Sequence, residues 1–303
     1  MKRIVLGQSF LYGRGFFLLK QVSGHQSDPP LVSRMEQFQR YFDENRQLWN
    51  KRATVHVGSK FYDVPAFLAG KSSLCGIELE EMGDVEGKSI LHLQCHFGLD
   101  TLSLARCGAN VTGVDLSDTS IELARKLSVD SSLPANFVRC NIFDLPDQLT
   151  GKFDIVFTSF GVVGWLPDLN RWADVIAHFV KPDGLFYILE FHRSFMQFDE
   201  DGEVAYDYFY SETPDEETIT TTYTDGPSHE PAKEYWWNHT TSDIFMALYG
   251  AKLQVYSFHE FPYSAYKLNN NMIEVEPNRW VHQKLGGRIP YMFSLKARMN
   301  ESL

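Results

Sequence analysis

Much of what this 303-residue chain lacks excludes a class of function. No stretch approaches the ~18 uninterrupted apolar residues of a membrane-spanning helix, so no membrane partner is expected. No run of Lys and Arg stands against a net charge of -11. Binding to a nucleic-acid backbone depends on such cations neutralising phosphates, so no nucleic-acid partner is expected either. The four cysteines, Cys75, Cys95, Cys107 and Cys140, have no paired zinc-type spacing; no metal site is expected, and a reducing, cytoplasmic setting is. Internal repeats and low-complexity tracts are absent. The first residues, MKRIVLGQSFLYGRGFFLLKQ, resemble a signal peptide only superficially, because Gln8 and Arg14 interrupt the apolar run and no small-x-small cleavage site follows.

What is present suits an α/β enzyme: 44% hydrophobic and 22% charged residues, with length for one large domain and additions. The organising stretch is GKSILHLQCHFGLDTLSLARCGANVTGVDLS, from Gly87 to Ser117. It reads as a buried strand (Ile90, Leu91, Leu93), a turn from Gln94 to Gly98, a helix with Leu99, Leu102 and Ala105 on one face, and a second strand ending at Asp115. Such a β-α-β unit opens a pocket at the carboxyl ends of its strands, where an acid on the second strand can hold a ribose diol. Asp115 lies 21 positions beyond Gln94, close to the ~20 expected of nucleotide-binding units. Cys95, Cys107 and Cys140 fall in or beside these elements and are expected as buried thiols.

Upstream, residues 1–30 read as an extension ending in the Pro-rich SGHQSDPP, and residues 31–86 as a helical lid segment. Its helix should start at Ser33, where Ser33 and Glu36 form a capping box ahead of Met35, Phe38, Phe42 and Trp49. Downstream, residues 87–303 read as the core. Its further elements are a helix through Ile121 and Leu127, strands Asn136 to Cys140 and Phe153 to Ser159, and a helix from Asp168 stopped by Pro182 and Gly184. A fifth strand, Leu185 to Phe191, follows. At about 193–238 the alternation breaks, and AYDYFY, TITTTYT and EYWW predict an inserted antiparallel cap whose acidic residues form a solvated face. A helix capped at Thr240 or Thr241 and closed by Gly250 leads to strands Leu253 to Phe258 and Ile289 to Lys296.

This chain resembles the class I S-adenosylmethionine-dependent methyltransferases, and more narrowly a bacterial, functionally unassigned group with the HLQCHFG form of the first motif. The resemblance rests on the Gly87–Ser117 stretch, on FDIVFTSFGVVGWLPDLNRWA and on PYMFSLKA, and covers about Asn45 to Arg298. It implies a Rossmann-like seven-stranded sheet with the last strand antiparallel. The cofactor it implies is S-adenosyl-L-methionine, and the reaction is in-line methyl transfer to a small-molecule acceptor of unknown atom. The general pattern has an acid and then Gly-x-Gly-x-Gly. Here His92, Gln94 and His96 occupy those places and only Gly98 survives, so side chains are expected to share the binding.

By the same resemblance, Gln94, Cys95, His96, Phe97 and Gly98 face the amino acid half of the cofactor, and Asp115 with Leu116 the ribose. Asn141 and Ile142 flank the adenine, while Ser159, Phe160 and Gly161 face the sulfonium and the acceptor. His192 and His239 are the candidate bases, needed only if the acceptor arrives protonated. Trp236, Trp237 and Tyr223, or Tyr41, Trp49 and Tyr62, could form an aromatic wall for a cation or simply cap core. His92 could act in the site or fill a buried polar slot. Two other readings stay open: a degenerate, non-catalytic binding protein, and a nicotinamide-dependent oxidoreductase, which should carry Gly-x-Gly-x-x-Gly. The oligomeric state is not legible.

Overall fold

The computed structural model describes residues 31–300, and their side chains from residue 38 onward. The extension at 1–30 lies outside these; the helix expected to start at Ser33 already runs from Leu31, so Ser33 falls inside it and does not cap it, while the side chains of Ser33, Met35 and Glu36 lie outside the described ones. Helix α1 runs Leu31–His56, followed by short helices α2 (Val64–Leu68) and α3 (Ile77–Met82). The core then alternates β1 (Ser89–Leu93), α4 (Leu99–Arg106), β2 (Asn110–Asp115), α5 (Asp118–Ser131), β3 (Asn136–Arg139), β4 (Phe153–Thr158), α6 (Leu169–Phe179) and β5 (Val180–Phe191). After α7 (Arg193–Met196) come β6 (Asp215–Ile219), β7 (Ala232–Trp236), α8 (Thr241–Gly250), β8 (Leu253–Phe261), β9 (Met272–Glu276), β10 (Arg279–His282) and β11 (Met292–Met299).

Seven strands form one sheet in the order β3-β2-β1-β4-β5-β11-β8, parallel from β3 to β5, with β11 antiparallel to both β5 and β8. This is the Rossmann-like methyltransferase arrangement. Central strands β1 and β4 are buried on both faces, which is why they read as continuous apolar runs. One core layer packs α6 and α8 (Trp172, Ile176, Phe179, Leu248) on one side of the sheet. On the other side, α4 and α5 bury Leu102, Ile121 and Leu127 around Phe97 and Phe137.

Several boundaries differ from expectation. The fifth strand already pairs at Val180, opposite Phe153, and residues 181–184 bulge out before Leu185 joins Ile155. Gly184 therefore serves the bulge and does not stop a helix: a Cβ there would lie 2.8 Å from Val180 and 3.0 Å from the Asp154 carbonyl. The last strand starts at Met292 and not Ile289, since Pro290 has no N–H to enter the ladder. Helix α8 carries a full capping box between Thr240 and Asp243, but the left-handed residue after it is Lys252 and not Gly250. In the stretch expected to form a cap, β6 and β7 pair as a hairpin; AYDYFY is irregular, with an isolated bridge between Phe198 and Val204 beside it. A second hairpin, β9–β10, was not anticipated. Cys95 and Cys140 are buried as expected, whereas Cys107 is exposed at the end of α4. Among the described residues no helix is long and apolar enough to cross a membrane, and no group of His, Cys, Asp and Glu could hold a metal.

Candidate active site

The turn between β1 and α4 keeps the backbone of a glycine loop with only one of the glycines. Gln94 and His96 sit at φ 57° and 51°, and Gly98 at 82°. For a residue with a Cβ, each left-handed position costs roughly 1–2 kcal/mol, and such strain persists where surrounding contacts over-determine it. They do so here. Gln94 Nε2 donates to the Val162 carbonyl at 3.0 Å. The His96 ring lies 3.1 Å from the Ser120 hydroxyl and 2.9 Å from the ring of His56, whose other nitrogen is 2.6 Å from the Thr222 hydroxyl. Burial holds both histidines neutral, with His56 pushed down to about 3 and His96 well below its usual value. This chain of four groups fastens α1 and the segment after β6 to the turn. Glycine is indispensable where the turn meets β2 and β3. A Cβ on Gly98 would lie 2.8 Å from the Phe137 ring, and one on Gly113 would lie 2.8 Å from both that ring and Cys95 Sγ.

Asp115 ends β2 beside this turn. Its two oxygens accept the backbone N–H groups of His96 and Ser117, both at 2.8 Å. Burial pushes its carboxyl up to about 6, against the pull of those N–H donors. Asn141 spends its side-chain oxygen on the Phe143 N–H, 3.1 Å away, and lines the cavity together with the apolar Ile142, which packs into the core. Beyond β4, the loop 161–163 is shaped by a group the sequence reading passed over. Glu190, 2% exposed at the end of β5, accepts the N–H groups of Gly161 (2.5 Å), Val162 (2.8 Å), Val163 (3.2 Å) and Phe191 (2.6 Å). Its signal was one carboxylate in the otherwise apolar run LFYILEF.

These groups line one cavity of about 1290 Å³, larger than the ~300–1,000 Å³ that a single small ligand usually occupies. All eleven residues expected at the cofactor, from Gln94 to Phe160, lie on its wall, and so does His239. His239 Nε2 donates to the Leu166 carbonyl at 2.7 Å, which fixes the tautomer and leaves Nδ1 with a lone pair. Burial lowers its pKa, so the ring is neutral at pH 7. His192 is not brought to the cavity. Its Nδ1 accepts the Ser194 N–H at 3.0 Å, capping α7, while Nε2 faces Glu260 at 3.0 Å and Thr241 at 3.3 Å. His92 fills a buried slot: it bridges Thr101 (2.8 Å) and Ser159 (3.1 Å) and stacks on Phe157. Over the cavity, Arg52 from α1 pairs with Glu234 of β7 at 2.6 Å while lying above Trp49 and Trp165. Trp236, Trp237, Tyr223 and Tyr62 also line it, whereas Tyr41 packs against Tyr235 and Trp237 in the cap core.

A parallel five-stranded half and an antiparallel β11 inserted beside β5 make the sheet order of the class I methyltransferase fold. Comparison with known proteins agrees: residues 90–184 match the family model described as a methyltransferase domain. Over 115 residues the chain is 29% identical to the ubiquinone biosynthesis O-methyltransferase of Bordetella avium, covering 38% of this chain and 47% of that protein. The enzyme of the same name from Cronobacter sakazakii is 30% identical over 119 residues, covering 39% and 49%. The matches thus span about half the length of these curated relatives. Among solved structures, the glycopeptide N-methyltransferase MtfA complexed with sinefungin superposes with a TM-score of 0.51 at 16% identity, over 76% of this chain and 88% of that one. That likeness shows the fold.

Proposed function

We propose that this protein transfers a methyl group from S-adenosylmethionine to a small-molecule acceptor. The observation that carries this reading is the meeting of the left-handed Gln94–Gly98 turn and the Asp115 carboxylate on the wall of a cavity with room for two ligands. The residues present fit the cofactor. Asp115 retains lone pairs for two ribose hydroxyls, Ile142 offers an apolar face to adenine, and Gln94 Oε1 is buried without a partner, an acceptor suited to a donor on the amino acid half. Bound there, the cofactor supplies an electrophilic methyl group on a cationic sulfur, whose departure leaves a neutral thioether.

The chain's own work is then alignment and exclusion of water, and holding reactants in line supplies much of the acceleration. Glu190 sets the loop 161–163 that borders both ligand positions. The segment 31–86 acts as a lid and the insertion at about 193–238 as a cap, joined over the cavity by Arg52 and Glu234. Since the similar curated proteins are named for O-methylation, a hydroxyl is the first acceptor class to test. His239, neutral and with Nδ1 unprotonated, is the group that would take its proton. Four free cysteines support a reducing, cytoplasmic setting. Calorimetric titration tests the reading: saturable binding of S-adenosylmethionine is expected and none of NAD. No binding at millimolar cofactor would refute it, and preference for NAD would move the protein to the oxidoreductases.

A further inference from the structure

One wall of the cavity carries a carboxylate with no cationic partner among the described residues. Asp100, in the first turn of α4, lines the cavity together with Phe61, Tyr62, Phe160 and Tyr266. Asp100 Oδ1 accepts the Ser73 hydroxyl at 2.6 Å, and Ser73 is itself held by Ser103, with its hydroxyl and its N–H each 3.0 Å from Ser103 Oγ. That network fixes the carboxylate's orientation. Oδ2 has no hydrogen-bond partner among the described residues, and no Lys, Arg or His of those residues lies within ion-pairing distance of Asp100. Lys71 and Lys267 line the same cavity without pairing with it. The surrounding rings form a continuous wall: Tyr266 lies 5.7 Å from Phe61 and 5.2 Å from Phe160, and Tyr62 lies 5.0 Å from Phe61. Burial, and then the Asp100 charge, hold the Tyr266 phenol well above its usual range. Asp100 is half-buried with one oxygen open to the cavity; a carboxylate partly withdrawn from water gains from a cationic partner, and aromatic faces attract cations.

We propose that Asp100 binds an ammonium group, with the Tyr62 and Tyr266 rings as its walls. This rests on the methyltransferase reading, and the ammonium can belong to the amino acid half of the cofactor or to an amine-bearing acceptor. Titrations of the intact protein and of Asp100→Asn separate the two, using S-adenosylhomocysteine, then 5′-methylthioadenosine, which has the nucleoside without the ammonium, and then phenethylamine in the presence of saturating S-adenosylhomocysteine. A loss of tenfold or more for S-adenosylhomocysteine with unchanged methylthioadenosine assigns the group to the cofactor. Unchanged nucleoside binding with loss of phenethylamine binding assigns it to the acceptor. Equal affinities of both proteins for all three probes overturn the proposal. Failure of the intact protein to bind either nucleoside would instead refute the methyltransferase reading itself. Asp100→Ser, which keeps a residue favoured at a helix amino-terminus, must reproduce the Asn result with an unchanged far-ultraviolet spectrum.

Discussion

Replacing Glu190 by Gln tests whether the loop after β4 is built on a buried charge. The substitution keeps shape and removes one of two acceptor oxygens. Oε1 serves Gly161 and Phe191, and Oε2 serves Val162 and Val163, so either amide orientation leaves two N–H groups facing an NH2. A hydrogen bond to a charged group contributes about 1.5–3 kcal/mol. Losing two therefore predicts a destabilisation of about 3–6 kcal/mol if the loop stays in place, and less if it rearranges. Rearrangement has its own signature, because Val162 also receives the Gln94 side chain and borders the cavity. Urea unfolding and titration with S-adenosylhomocysteine read the two outcomes: a lower midpoint, or a smaller shift accompanied by at least tenfold weaker binding. Glu190→Asp, which keeps the charge, should fall between. If Glu190→Gln matched the parent within about 0.5 kcal/mol and bound equally well, the loop would owe its shape to something else.

Two further outcomes follow from the same geometry. Because burial raises the folded pKa of Asp115 to about 6, above the ~3.9 of an unfolded Asp, its contribution to stability is present below about pH 4 and lost as pH rises through 6. Ribose binding needs the carboxylate and so runs the other way: affinity for S-adenosylhomocysteine should fall about tenfold from pH 7.5 to 5, and Asp115→Asn should flatten that dependence. Gly113→Ala would push a methyl group against Phe137 and Cys95, and overpacking of this kind costs about 1–3 kcal/mol, visible as a lowered thermal midpoint. An unchanged midpoint would mean that β3 yields easily.

The parts of this molecule legible in the sequence are those fixed by local pattern. Ile90 to Leu93, Leu99 to Ala105 and Asn110 to Asp115 switch between strand and helix periodicity because each element buries a face set by its own backbone repeat. The residues at Gln94 and His96 looked like losses because sequence records side chains and not φ. The backbone there is the one glycine would have adopted. What the sequence could not show depends on partners far along the chain: Glu190 meets Gly161, His56 meets His96, and Ser73 meets Asp100. The same holds for His192, whose place at the end of the fifth strand suggested a base but whose nitrogens face Ser194, Thr241 and Glu260. AYDYFY has strand propensity without a neighbouring strand to pair with, and propensity alone does not make a strand. The β9–β10 hairpin did leave a trace, in Pro277-Asn278 between two alternating runs, with Asn278 at φ 59°.

The central claim is that the Gln94–Gly98 turn and Asp115 still form a cofactor site after losing two glycines. A crystal structure of the protein with S-adenosylhomocysteine tests it most directly. The ligand should lie in the large cavity with its ribose hydroxyls within hydrogen-bond distance of Asp115, its adenine against Ile142 and its amino acid half along the turn. An empty cavity at millimolar ligand, or a nucleoside bound away from Asp115, would contradict it.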